Sequence, residues 1–361
     1  MYIHLLAGAR PNYMKIFPVW EAIRRLKPDW NVEIIHTGQH YDALMSDIFF
    51  ADLGMPPPHH FLGVGSGSHA VQTAKVMTGL DALFDAKVPD LLVVVGDVNS
   101  TMAGTLVAVK RGIRVSHLEA GLRSGDRTMP EEINRIVTDV LADELLTSCR
   151  DAGENLAREG IAPEKVFFSG NVMIDSLMRL LPRANDSLIL DQLGVTPKEY
   201  ACITLHRPSN VDQPAHFINL IKALGCVAKT IPLVFPVHPR TKAMIDAATS
   251  VQIPKGMHLV PPLGYLDFLK LMSNAALVIT DSGGIQEETT SLRIPCLTLR
   301  KNTERPVTIT EGTNKLVDPA GINLQEEVRG ALNRTDWPTT PVEGWDGHAA
   351  ERIVSHWALQ A

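Results

Sequence analysis

Short, nearly unbroken apolar runs alternate along the chain with segments in which apolar residues recur every three or four positions. That is the pattern of doubly wound α/β domains, whose parallel strands are buried on both faces. In the first half the runs Tyr2–Ala7, Val32–Thr37, Leu91–Gly96 and Arg114–Leu118 predict strands, the third reading Leu-Leu-Val-Val-Val. In the second half Tyr200–Leu205, Leu233–Val237, His258–Leu259 and Leu277–Thr280 predict four more. The spacing predicts a helix over Pro130–Ala142: Pro130 suits the first helical position, and Ile133, Ile136, Val137, Val140 and Leu141 form a stripe expected to pack inward. Val166–Asn171 reads as a last strand and exit turn, which sets a hinge near residue 170 and predicts two domains, 1–170 and 171–348. Residues 334–348, rich in Pro, Thr, Gly and Trp, read as a linker before a final helix at 349–360. In such folds ligand is expected in the crevice at the carboxyl ends of the strands.

Composition narrows the class. With 361 residues, 45% of them apolar, the chain has material for two cores. A formal charge of −6, with no run of like charges, gives no basic footprint for nucleic acid, so an anionic ligand would need local cations. Cys149, Cys202, Cys226 and Cys296 are far apart and form no C-x-x-C pair, which suggests neither a zinc site nor a disulfide framework. No apolar run approaches the ~18 residues of a membrane span, and the N-terminal stretch is too short for a signal peptide. A reduced, cytoplasmic enzyme is the expectation.

Three places gather chemistry. The first strand runs into Gly8-Ala-Arg-Pro-Asn-Tyr-Met-Lys15, where a glycine turn, two cations and a new helix coincide. Backbone N–H groups, the Arg10 fork and the Lys15 ammonium can clamp a phosphate there, or the segment is a turn with surface cations. Asp281-Ser-Gly-Gly-Ile-Gln-Glu-Glu288 follows a buried strand and opens a helix, a second anion cradle through Ser282, Gly283 and Gly284. Glu288 can accept from ribose hydroxyls or merely favour the helix dipole; Phe268 can cover a base ring or sit in the core. The third cluster is Asp97, Glu119 and Glu131 at or just beyond strand ends, carboxylates suited to moving protons at opposite faces of a carbon. Structural alternatives are a helix cap for Asp97 and i,i+4 pairing of Glu119 with Arg123 and of Glu131 with Arg135. His206 beside Arg207, and His238 in Pro-Val-His-Pro-Arg, follow predicted strands and can support a departing phosphate. Gly63-Val-Gly-Ser-Gly-Ser68 is a weak imitation of a dinucleotide fingerprint and reads as a loop; there is no P-loop sequence.

Taken in order, Gly8–Lys15, Thr37-Gly-Gln-His40, Gly96-Asp97, His117–Arg123, Pro130–Arg135, Leu205-His-Arg207, Asp281–Glu288 and Asn302-Thr-Glu-Arg-Pro306 resemble the non-hydrolysing UDP-N-acetylglucosamine 2-epimerases over nearly the whole chain. The resemblance implies the GT-B fold: two Rossmann-like domains facing a cleft, the last helix, 349–361, crossing back to the first domain, and a homodimer. It implies interconversion of UDP-GlcNAc and UDP-ManNAc by elimination of UDP across C1–C2 and its re-addition, with no nicotinamide because no hydride moves; no catalytic metal is expected. Carried over, Asp97, Glu119 and Glu131 would be the catalytic carboxylates and His206 would assist the leaving pyrophosphate. Arg10, Ser282, Gly283 and Gly284 would hold phosphates, Glu288 the ribose and Phe268 the uracil.

Two departures stand out. Tyr41-Asp42 and Val71-Gln72 occupy positions where relatives activated by a second UDP-GlcNAc carry a longer glutamine pattern and an Arg-Gln pair, so loss of that activation is expected. The segment from Glu119 to Glu131 is also shorter than in many members. The competing readings are an epimerase of a modified sugar such as a 2,3-diacetamido uronate, a GT-B glycosyltransferase, and a non-catalytic sensor of sugar nucleotides.

Overall fold

A computed structural model describes residues 1–38, 53–237, 239–247, 252–319 and 323–360. The chain divides into two compact units, residues 1–179 with 343–361, and residues 180–342. The first unit is left at Arg179, inside the helix Val172–Ala184, rather than near residue 170. The start of that helix belongs to the first unit: the Ser176 hydroxyl donates to the Met14 carbonyl, and Asp175 accepts N–H groups of Ala349 and Ala350 at 3.1 and 2.7 Å. Asp175 thus caps the last helix, Ala349–Gln360, which packs on the helix Arg10–Leu26.

The first unit holds a seven-stranded parallel sheet in the order β3-β2-β1-β4-β5-β6-β7. The strands are β1 (Tyr2–Ala7), β2 (Asn31–His36), β3 (His60–Phe61), β4 (Leu91–Val95), β5 (Arg114–Ala120), β6 (Glu144–Thr147) and β7 (Val166–Phe168). Every side chain of β4 is buried, as its unbroken apolar run requires. The second unit holds a six-stranded parallel sheet in the order β10-β9-β8-β11-β12-β13. Its strands are β8 (Ala201–Thr204), β9 (Leu233–Pro236), β10 (Met257–Val260), β11 (Leu277–Thr280), β12 (Cys296–Thr298) and β13 (Asn314–Leu316). In each sheet strand order reverses once, between β1 and β4 and between β8 and β11, which is where α/β sheets open a crevice at their carboxyl ends.

The helix Pro130–Leu141 forms as its pattern predicts, but its apolar stripe does not pack inward. Ile133 is 48% and Val140 55% exposed, whereas Glu132, Asn134, Arg135, Thr138 and Asp139 are buried. The inward face is polar because it carries an ion-pair network that holds the carboxyl ends of β4 and β5. Among the described residues no helix is long and apolar enough to cross a membrane, and the four thiols are unpaired.

Candidate active site

In the first unit the crevice begins with Gly8, which β1 delivers against the neighbouring helix start. A Cβ there would lie 2.5 Å from the Ser100 hydroxyl, so only glycine fits. Asn12 closes the turn, its Oδ1 accepting the N–H groups of Gly8 and Ala9 at 3.0 and 2.9 Å. One turn further Lys15 is buried and paired with Glu119 from the end of β5. Gly96, with φ 67°, leaves room for that pair: its Cβ would sit 3.2 Å from Glu119 Oε2 and 3.4 Å from Lys15 Nζ. Arg10 opens this helix, and its side chain lies outside the described residues.

Glu119 itself has φ 72°, at a register shift between Leu118 and Ala120. A non-glycine residue in the left-handed region stores strain that the surroundings must override, and such strain gathers at functional sites. The surroundings here are a buried network. His117 Nδ1 lies 2.6 Å from Asp139 and its Nε2 lies 2.8 Å from the Gly96 carbonyl. Asp139 also accepts the Gly121 N–H at 3.1 Å and pairs with Arg123 at 2.7 Å. Burial alone would raise the Asp139 carboxyl, but His117 and Arg123 hold it below its ordinary value.

Asp97 follows Gly96 and is partly exposed; its carboxylate pairs with Arg135. Arg135 also grips Glu132 at 2.7 Å, and Glu132 accepts the N–H groups of Ser124 and Gly125 at 3.0 and 2.9 Å, tying down the loop before the helix. Glu131, exposed in the first turn of the same helix, is thereby carried on an element anchored beside Asp97. The alternative structural roles are displaced. Val98, not Asp97, is the helix N-cap; Glu119 pairs with Lys15 while Arg123 goes to Asp139 and Glu159; and Arg135 serves Glu132 and Asp97.

In the second unit Asp281, at the end of β11, is buried and organises the end of β8. It accepts backbone N–H groups of His206 and Arg207, the latter at 2.9 Å, and lies 3.1 Å from His206 Nδ1. Burial would raise its carboxyl, yet His206, the Arg207 N–H and Asn210 hold it below its ordinary value. The His206 side chain, 44% exposed, is thus fixed at one nitrogen and presented outward. Ser282 stands at the N-cap position of the helix Gly283–Leu292, its side chain making no capping hydrogen bond. A Cβ on Gly283 would lie 2.5 Å from Arg305, so the helix start is closely covered by a cation.

That arginine belongs to a buried cluster only partly readable beforehand. Glu304 pairs with Arg305 and Arg300 and lies 3.7 Å from Arg207; Glu287 pairs with Arg305 at 3.0 Å. Burial works to raise the Glu304 carboxyl, but Arg305 and Arg300 hold it well below the usual carboxylate range. The signal was the block Asn302–Pro306, whose charges carried no assigned role. Glu288 is buried deeper than its proposed ribose role suggested; burial pushes its carboxyl up to about 7, although the Tyr265 hydroxyl donates to it at 2.7 Å. Phe268, half-buried, stands one turn along the helix Tyr265–Ser273 from that tyrosine. His238 lies outside the described residues, as do Gln39 to Asp42.

The UDP-N-acetylglucosamine 2-epimerase family model matches residues 22–358. The chain belongs to this family. It is accordingly an epimerase, built on the GT-B-like two-domain α/β fold of its structural neighbours. It is similar to the UDP-N-acetylglucosamine 2-epimerase of Methanocaldococcus jannaschii, with 38% identity over 371 residues covering 99% of each chain. The crystal structure of the M. jannaschii epimerase in complex with UDP-GlcNAc and UDP superposes with a TM-score of 0.92 at 38% identity, covering 99% of this chain and 100% of that one. Similarity also extends to the UDP-2,3-diacetamido-2,3-dideoxy-D-glucuronate 2-epimerase of Pseudomonas aeruginosa, 36% identical over 362 residues and 99% of each chain.

Proposed function

We propose that this epimerase interconverts UDP-GlcNAc and UDP-ManNAc through a 2-acetamidoglucal. The observation that carries the reading is the switch point of the first unit, where Glu119, in a strained backbone conformation beside Lys15, stands with Asp97 beside Arg135. A carboxylate takes the C2 proton, the C1–O bond breaks, and its electron pair leaves with UDP. UDP then returns to C1 while a proton reaches C2 from the other face. Asp97, Glu119 and Glu131 share the acid and base roles, since inversion needs a group on each face. His206, oriented by Asp281, donates to the departing pyrophosphate. Arg10, Lys15, Arg207, His238 and the N–H groups of Ser282, Gly283 and Gly284 bind the phosphates, Glu288 the ribose and Phe268 the uracil. In this reading residues 1–179 with 343–361 carry the chemistry of the sugar, and residues 180–342 bind UDP. No cofactor takes part, and the product supplies ManNAc-type sugars for surface polysaccharide from the cytoplasm.

The partner is a second copy of the chain. Ile133 and Val140, together with half-buried Met102, Leu106 and Val109 on the packed helix Asn99–Lys110, form an apolar face suited to a homodimer. Sedimentation velocity is expected to give a dimer that Ile133→Asp converts to monomer; a wild-type monomer would exclude it. The similarity to the diacetamido uronate epimerase supports a second substrate. Purified enzyme with UDP-GlcNAc and buffer alone should yield UDP-ManNAc. Turnover confined to the diacetamido uronate nucleotide would transfer the assignment to that sugar.

A further inference from the structure

Away from the carboxyl ends of the first sheet, a separate group of side chains converges on its opposite flank. Register brings them together. His4 of β1 lies directly opposite Glu33 of β2, and His60 of β3 lies opposite Ile35, two residues beyond Glu33 and hence on the same face. His60 Nε2 is 2.7 Å and His4 Nε2 3.5 Å from the same oxygen, Glu33 Oε2. The three donor atoms lie within 4.8 Å of one another. The Tyr2 hydroxyl completes the ring, 2.6 Å from His4 Nε2 and 2.8 Å from Glu33 Oε2.

We propose that His4, Glu33 and His60 form a zinc-binding site that fastens the edge strand β3 to β2 and β1. Two imidazoles and one carboxylate are a donor set for zinc, with the fourth position left to water or to the Tyr2 hydroxyl. Tetrahedral ligands at about 2.0–2.1 Å from zinc stand roughly 3.3 Å apart, so the observed separations of 2.7 and 3.5 Å need only small side-chain shifts. His4 is buried against Phe84, their rings 5.9 Å apart, while His60 and Glu33 remain partly open to solvent, which gives an ion a way in. Among the described residues the competing cation is Lys87, mostly exposed, 4.0 Å from the other carboxylate oxygen, Oε1, and 3.5 Å from the centre of the Tyr2 ring. The site is independent of the epimerase reading, since β3 is a two-residue edge strand held by few backbone hydrogen bonds and gains an anchor whatever the enzyme acts on.

The test uses the full chain, stripped with EDTA, dialysed and titrated with zinc chloride against a chromophoric chelator. Wild type is expected to take up one equivalent and to melt at least ~3 °C higher with zinc in hundredfold excess over its dissociation constant. Cobalt is expected to give the visible bands of a tetrahedral site. His60→Gln, at a partly exposed position that leaves the core intact, and Glu33→Gln, checked for native circular dichroism, should each weaken uptake at least tenfold and lose the melting shift. Wild type that takes up no zinc, or a His60→Gln variant that binds it with unchanged affinity, would overturn the proposal. The second outcome would show a hydrogen-bonded cluster here and adventitious binding at surface histidines.

Discussion

The buried carboxyl of Glu288 makes a signed prediction about pH. Burial lifts it from 4.5 to about 7. Between those values the folded protein holds a proton that the unfolded chain has released, so stability falls as pH rises. The contribution is fully present below pH 4.5 and is lost as pH passes about 7. A rise of 2.5, at ~1.36 kcal/mol for each unit, comes to about 3 kcal/mol. Urea unfolding at a series of pH values reads it through Trp337, the one tryptophan between residues 180 and 342. Wild type should lose about 2.5 kcal/mol relative to Glu288→Gln between pH 5 and 8.5. The same group controls binding: ribose hydroxyls donate best to the ionised carboxylate, so UDP affinity should strengthen through pH 7 in wild type and stay flat in the variant. Stability curves for the two proteins that run parallel within ~0.5 kcal/mol would refute the burial argument, and parallel UDP affinities would refute the ribose role.

Breaking the buried Lys15–Glu119 pair should be worse than removing it. Lys15→Met leaves a buried carboxylate alone and is expected to cost about 3–5 kcal/mol, most of it recovered in Lys15→Met/Glu119→Gln; additive losses in a denaturation cycle would contradict the pairing. That double variant should fold and still be inactive. Asp97→Asn, Glu119→Gln and Glu131→Gln should each fold and lower kcat by roughly 10²–10⁴, and a near-normal rate in any one removes it from the proton transfers. Steady-state kinetics in UDP-GlcNAc should be hyperbolic, the outcome expected if the departures at Tyr41-Asp42 and Val71-Gln72 from the pattern of activated relatives remove the activator site. A sigmoidal curve, or a lag with UDP-ManNAc relieved by added UDP-GlcNAc, would show that activation survives.

Most of the sheet architecture was legible because continuous apolar runs such as Leu91–Val95 have few other uses. The strands that escaped notice are short or carry polar residues. His60–Phe61 is two residues long and Cys296–Thr298 three, Glu144 opens β6 with a buried carboxylate, and Asn314–Leu316 is polar at its first two positions. The helix Pro130–Leu141 shows why periodicity can point to the wrong face. A stripe of Ile and Val marks the face that avoids water somewhere, and here the unit's own interior is claimed by Glu132, Arg135 and Asp139. At the site, motif spacing singled out Asp97, Glu119 and His206, but not the role of Asp281, the buried carboxylate beside His206. Their partners, Arg135, Lys15 and the Asp139–His117 pair, come together only through strand order. Pairing by sequence offset therefore misassigned Arg123 and Arg135.

The central claim is that a proton leaves C2 and another arrives from the opposite face. Conversion of UDP-GlcNAc by the purified enzyme in D₂O, followed by proton NMR of the C2 position, tests it most directly. A carboxylic acid exchanges its proton with solvent, so UDP-ManNAc should form with deuterium at C2 in the absence of any added cofactor. Product that retains protium at C2 throughout would contradict elimination and re-addition.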